Sequence, residues 1–142
     1  VKVKLNAVRS VVEGRRVIMI DDSIVRGTTS ARIVRLLREA GAKEVHMLVS
    51  SPPFRHPCYF GTDIDSRENL IACRLDSVEK IAEEIGVDSL GYLSVDSVRK
   101  IARGAGCDFC TGCFTGDYPA EIPTEAPKDK FEQKIMKTKT GA

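Results

Sequence analysis

The stretch Arg16-Val-Ile-Met-Ile-Asp21-Asp22-Ser23-Ile24-Val25-Arg26-Gly27-Thr28-Thr29-Ser30 carries the chain from one kind of structure into another. The run Val17 to Ile20 is apolar, rich in β-branched residues and free of polar alternation, which predicts a strand buried on both faces of a parallel sheet. It ends in two adjacent acids and a short loop with one glycine and several hydroxyls. From Thr29 or Ser30 to Ala40 the apolar positions Ala31, Ile33, Val34, Leu36, Leu37 and Ala40 recur at helical spacing around Arg32, Arg35 and Arg38, with Gly41 placed to end the helix. A loop between a buried strand and a helix N-terminus offers unpaired N–H groups and the positive end of the helix dipole. Gly27 permits close approach, and Ser23, Thr28, Thr29 and Ser30 add hydroxyl donors, so neutral groups suffice to hold a phosphate monoester. Carboxylates at Asp21 and Asp22 repel phosphate, which leaves sugar hydroxyls or a divalent cation as their partners.

Working outward, Glu44 to Val49 reads as a second strand, completing a right-handed βαβ unit. Residues 51–58, Ser-Pro-Pro-Phe-Arg-His-Pro-Cys, form a proline-broken loop at the strand edge where open α/β sheets bind ligands. Helices are expected over 66–73 and 77–85, the second capped by Asp76 or Ser77 and stopped by Gly86. A short strand over Ser89 to Leu93 and a helix over Val95 to Ala102 follow. Residues 1–14 show no clean period. The lysine- and proline-rich stretch 123–142 reads as a flexible tail with one weak helical turn around Lys130 to Met136.

The chain has 142 residues, 42% of them hydrophobic, enough for one ordinary core, so a single α/β domain is expected. With 22 basic and 20 acidic residues the net charge is only +2, and no basic block interleaves with aromatics, which argues against nucleic-acid binding. No apolar run approaches the roughly 20 residues that span a bilayer, and Val1-Lys2-Val3-Lys4 lacks a signal peptide's apolar core. A cytoplasmic protein without membrane contact is expected. The opening lacks an initiator Met and a capping signal, as a fragment would, and as a processed or engineered start would too.

Five cysteines are many for a chain of the reducing cytosol. Cys107-x-x-Cys110-x-x-Cys113, with Cys58 behind prolines, has the spacing of a zinc or iron-sulfur site, and spacing alone leaves both open. Cys73 reads as an ordinary buried thiol. His56 reads as a loop hydrogen-bonder rather than a ligand, and His46, inside a strand, as structural. The loop at 21–29 is neither a Walker A motif nor GxGxxG, which disfavours nucleotide hydrolysis and dinucleotide binding.

The thirteen residues Val17-Ile-Met-Ile-Asp-Asp-Ser-Ile-Val-Arg-Gly-Thr-Thr29 resemble the phosphoribosyl pyrophosphate (PRPP) motif of type I phosphoribosyltransferases. With Lys4-Leu5-Asn6 upstream, the wording resembles the glutamine PRPP amidotransferase family, from about Val1 to Ile122. The resemblance implies the C-terminal portion of a type I phosphoribosyltransferase fold, a parallel sheet flanked by helices with a cysteine-rich C-terminal loop. It implies a partial domain over 1–122, with the PRPP loop at 17–29 and cluster-binding loops at 56–60 and 107–116. Asp21 and Asp22 would then bind the ribose hydroxyls and Mg2+, while Ser23, Ile24, Val25, Arg26, Gly27, Thr28 and Thr29 cradle the 5-phosphate. The His-Pro-Cys loop and the Cys-x-x-Cys-Phe-Thr-Gly ending resemble the cluster-bearing branch, in which Cys58, Cys110 and Cys113 would hold a 4Fe-4S cluster. The fourth ligand would lie upstream, or Cys107 would substitute.

The family resembled couples an N-terminal glutaminase with a terminal cysteine nucleophile to the transferase domain, as a homo-oligomer, usually a tetramer. It makes 5-phosphoribosylamine, glutamate and pyrophosphate from PRPP, glutamine and water, which opens purine synthesis. Purine nucleotides are implied as inhibitors. Residue 1 here is valine and no glutaminase is present, so no catalytic nucleophile is expected in this segment, and alone it is expected to be inactive. Two other functions suit part of the pattern: a PRPP-sensing regulatory domain, which leaves the cysteines unexplained, and a small zinc or redox module, which leaves the phosphate loop unexplained.

Overall fold

A computed structural model describes residues 6–64, 66–101, 103–107 and 109–122. Its centre is a three-stranded parallel sheet, β1 (Arg16–Asp21), β2 (Glu44–Val49) and β3 (Ser89–Tyr92), in the order β1-β2-β3. Arg16 pairs with Glu44 and Asp21 with Val49 across the first ladder, and His46 with Ser89 and Val49 with Tyr92 across the second. The in-step register brings the carboxyl ends of all three strands to one edge. The helices are α1 (Arg9–Val12), α2 (Thr28–Glu39), α3 (Ile71–Arg74), α4 (Val78–Ile85), α5 (Val95–Ile101) and α6 (Gly112–Thr115), with a 3-10 turn at Arg67–Asn69. Among the described residues no helix is long and apolar enough to cross a membrane.

Alternation along β2 turns Val45, Met47 and Val49 toward α2 and α4, where they join Ile24, Val34, Ile71, Ile81 and Ile85 in the main core. Burying a residue of this size contributes about 1.5–3 kcal/mol. The other sheet face departs from the expected two-sided burial. Ile18 is 63% exposed, Ile20 73% and Leu48 49%, because none of the described residues packs over them. The apolar wording of β1 suits two buried faces, and the described residues cover one.

A second, smaller core joins Phe54, Ile64 and Leu70, with Val25, Cys58, Cys73, Cys113 and Phe114 packed against it. It lies under the proline loop and the cysteine-rich segment, outside the sheet.

Helix α2 begins at Thr28, and Gly41, with φ +94°, follows its cap residue Ala40 as the left-handed stop. In α4, Ser77 Oγ accepts from Lys80 N, and Gly86, with φ +86°, ends the helix. The expected helix over 66–73 is broken instead. Leu70 adopts extended dihedrals between the 3-10 turn and α3, so its fully buried side chain reaches the second core while Ile71 enters the first. Within residues 1–14, which show no clean period, α1 forms a single turn, where Val12 is buried and Gly14 N donates to Gly41 O. The segment 107–116, expected as a cluster-binding loop, closes with the short α6. The tail at 123–142, with its proposed turn at Lys130 to Met136, and Lys4 and Leu5 of the upstream resemblance lie outside the described residues.

Candidate ribose-phosphate and thiol sites

At the carboxyl end of β1 the chain turns sharply, and Asp21 O accepts from both Ser50 N (3.0 Å) and Ser50 Oγ (3.1 Å) at the end of β2. The loop that follows is pinned by its apolar members. Ile24, 2% exposed, enters the main core, and Val25 packs on the second. Val25 O accepts from Ile71 N at 2.8 Å, and Arg26 O from Arg74 Nη2 at 3.4 Å. These contacts hold the loop in place from below.

Gly27 occupies the left-handed region, φ +83°, and a Cβ there would stand 2.5 Å from Ile71 Cδ1. Glycine is therefore favoured by backbone conformation and by space. The first helical hydrogen bond of α2 runs from Ala31 N to Gly27 O, so the N–H groups of Thr28, Thr29 and Ser30 precede the ladder. Residues Asp21 through Ser30 line one side of a cleft of about 510 Å³, completed by Asp63 from a distant loop. All nine residues expected to bind PRPP border this one space. Ser30, 3% exposed, and Asp63 extend the set. Ser30 was legible as a hydroxyl in the motif, whereas Asp63 lies in a polar loop with no motif to mark it.

The acids differ in environment. Asp22 N donates to Asp21 Oδ1 at 3.0 Å, and Ser23 Oγ donates to Asp22 Oδ1 at 3.3 Å. Burial raises the Asp21 carboxyl above the ordinary carboxylate range; the Asp22 backbone N–H opposes this and the Asp22 charge adds to it. A hydroxyl donating at this point offsets the burial, and a cation offsets both the burial and the repulsion.

The two segments that carry Cys58 and Cys113 dock on one another. Cys113 O accepts from Arg55 N and His56 N, each at 3.0 Å, and Tyr118 Oη donates to Pro57 O at 2.6 Å. Phe54 and Phe114 stack with ring centroids 5.0 Å apart, and Tyr59 meets Tyr118 edge-on at 5.3 Å. A Cβ on Gly112 would strike the Tyr118 ring, and one on Gly116 would lie 3.0 Å from the His56 ring. His56 thus serves by packing and by its backbone. The other histidine bridges strands: His46 Nδ1 is 2.8 Å from Ser89 Oγ and Nε2 3.1 Å from Glu44 Oε2.

Burial raises the Cys58 thiol, but the backbone N–H groups of Phe60, Thr62 and Gly61 outweigh it and hold Cys58 below its ordinary value. Thr62 N stands 3.4 Å from Cys58 Sγ. Cys113 is pushed up to about 11, by burial first and then by the charges of Cys58 and Cys110. Cys107 is exposed, and Cys73, half-buried rather than buried as expected, packs against the second core with its Sγ donating to Arg55 O at 3.1 Å. Thiolates are the soft ligand type an iron-sulfur cluster takes, and of the three expected ligands Cys58 has backbone N–H donors at its sulfur while Cys110 is exposed. Among the described residues no three or more His, Cys, Asp or Glu side chains are gathered closely enough to hold a metal ion.

No family model matches the chain. It is 60% identical over 125 residues to amidophosphoribosyltransferase 1, chloroplastic, of Arabidopsis thaliana, covering 88% of this chain and 22% of that protein. It is 58% identical over 126 residues to the amidophosphoribosyltransferase of Bacillus subtilis, covering 86% and 26%. Among solved structures it resembles the glutamine PRPP amidotransferase of B. subtilis complexed with ADP and GMP, with a TM-score of 0.74 at 55% identity over 84% of this chain and 27% of that one. It also resembles a structure described as the allosteric regulatory enzyme of purine biosynthesis, with a TM-score of 0.81 at 50% identity over 92% and 29%. The chain spans about a quarter of the length of the curated relatives it matches.

Proposed function

Since this chain is a homologue of amidophosphoribosyltransferases and shares the fold of their phosphoribosyltransferase part, we propose that, within a full-length protein, it binds PRPP for attack by ammonia at C1. The ammonia comes from glutamine, hydrolysed by a glutaminase domain, and the products are 5-phosphoribosylamine, glutamate and pyrophosphate. The observation that carries this reading is the single cleft bordered by Asp21 through Ser30 at the end of β1.

In that cleft the N–H groups at the start of α2 and the hydroxyls of Ser23, Thr28 and Thr29 hold the 5-phosphate. Asp21 and Asp22 accept from the ribose hydroxyls and contribute to a Mg2+ site. When bound, Mg2+ supplies positive charge against the leaving pyrophosphate. Positioning and electrostatics dominate this chemistry, so the segment needs no nucleophile of its own. Cys58, Cys110 and Cys113, with Cys107 or an upstream residue as the fourth ligand, would hold a 4Fe-4S cluster of structural or regulatory character. A homotetramer, feedback inhibition by purine nucleotides and a cytoplasmic location complete the proposal.

The test is pyrophosphate release by the full-length protein supplied with PRPP, Mg2+ and either glutamine or ammonium ion. Release with both nitrogen sources supports the transferase reading. PRPP binding without release points to a sensing domain. Iron and sulfide analysis with a visible spectrum tests the cysteines, and one zinc without iron-sulfur absorbance contradicts the cluster.

A further inference from the structure

The cleft at the phosphate loop has one wall that the motif does not supply. Among the described residues, all that border it belong to the continuous stretch Asp21 to Ser30 except Asp63. Asp63 is held on both sides. Ile64, 1% exposed, is sunk in the second core with Phe54 and Leu70, and Ile64 N donates to Thr62 O at 2.8 Å. Cys58 N donates to Ile64 O at 3.3 Å, while Thr62 N reaches Cys58 Sγ at 3.4 Å. This folded turn delivers an exposed carboxylate to a space whose other polar groups suit a phosphorylated ribose.

A third carboxylate there is misplaced for phosphate or pyrophosphate, both anionic. Asp21 and Asp22 already provide acceptors for the ribose hydroxyls and the cation. The reactant left without a partner is the nitrogen nucleophile, which carries N–H donors and gains positive charge as it bonds. We infer that Asp63 is the acceptor for ammonia at C1 of the bound ribose, an inference that rests on the transferase reading above. In the step, the nitrogen lone pair forms the C1–N bond and the C1–O bond to pyrophosphate breaks. That bonding pair leaves with pyrophosphate, and the resulting substituted ammonium loses one proton to solvent. The Asp63 carboxylate accepts an N–H bond from the incoming ammonia and stabilises the charge growing on nitrogen, an interaction stronger in the transition state than in the ground state.

The experiment uses the full-length protein with ammonium ion in place of glutamine, which bypasses the glutaminase, and compares wild type, Asp63→Asn and Asp63→Ala. Asp63→Ala lowers kcat/KM for ammonia by about 100-fold and leaves the PRPP dissociation constant unchanged. Asp63→Asn, which keeps an acceptor oxygen without its charge, loses less, and it decides the matter should the alanine variant unfold. Unchanged kcat/KM in a folded variant overturns the inference. So does a matching loss of PRPP affinity, which puts the carboxylate on the ribose or the cation. A wild-type protein that binds PRPP but releases no pyrophosphate with ammonium ion overturns the transferase reading itself, and is recognised before any variant is made.

Discussion

The phosphate loop and the thiol site lie on adjoining cores and are built in opposite ways. The first is one continuous stretch, Asp21 to Ser30, between a strand and a helix, and its cleft is bordered almost entirely by sequence neighbours. The second takes Cys58 from one loop and Cys110 and Cys113 from another, joined by the bonds of Arg55 and His56 to Cys113 O and by aromatic packing. A contiguous site draws its geometry from the strand-to-helix turn and is rigid once its anchors are buried. An assembled site depends on the docking of two segments and is sensitive to whatever holds them together.

The sharpest way to break this contrast is to remove an anchor that serves the loop from below. Ile71, fully buried, lies under Gly27, and its N–H holds Val25 O. Ile71→Ala should cost about 2–5 kcal/mol of stability, read by denaturant unfolding of the full-length protein, and should weaken PRPP binding as well. Gly27→Ala comes next, because a side chain at φ +83° costs about 1–3 kcal/mol and the added methyl meets Ile71. Its PRPP affinity should fall while iron content, measured on the same sample, holds.

On the thiol side, Cys58→Ser should abolish iron-sulfur absorbance and leave PRPP affinity intact, with an intrinsic stability cost of about 1 kcal/mol. PRPP affinity that falls in step with iron makes the two regions one unit and erases the contrast.

The smallest effect tests the sheet edge remote from both. Asp88 Oδ2 accepts from Val45 N and Arg38 Nη2, each at 2.6 Å, and these bonds, the backbone one first, hold its carboxyl below the ordinary value of 3.8. A depressed folded pKa means that this stabilisation is complete above the unfolded value and is lost as pH falls through the folded one. The melting-temperature difference between wild type and Asp88→Asn should therefore shrink as pH drops below 3.8.

The same division governed what could be read from sequence. β1, the loop and α2 were legible because period, glycine and hydroxyls all act within fifteen residues of one another, as were Ser77 and Gly86 at the ends of α4. The break at Leu70 was not, since two separate cores claim neighbouring residues and tertiary packing overrides helical spacing there. Exposure of Ile18 and Ile20 was equally out of reach, because composition records what a face is suited to bury rather than what covers it. Asp63 reaches the cleft through the packing of Ile64 and the turn at Cys58, and neither leaves a mark in the local pattern. The resemblance to a known family named the thiols as a set, and the docking of the loops that carry Cys58 and Cys113 is a tertiary contact that leaves no local pattern.

The most direct test of the central claim, that Asp21 and Asp22 with the following loop form a ribose-phosphate site, is calorimetric titration of the full-length protein with PRPP in Mg2+. The wild type is compared with the double variant Asp21→Asn, Asp22→Asn. With each bond to a charged group contributing about 1.5–3 kcal/mol, the account predicts a loss of affinity of at least about 100-fold. Equal affinity in a correctly folded double variant would contradict it.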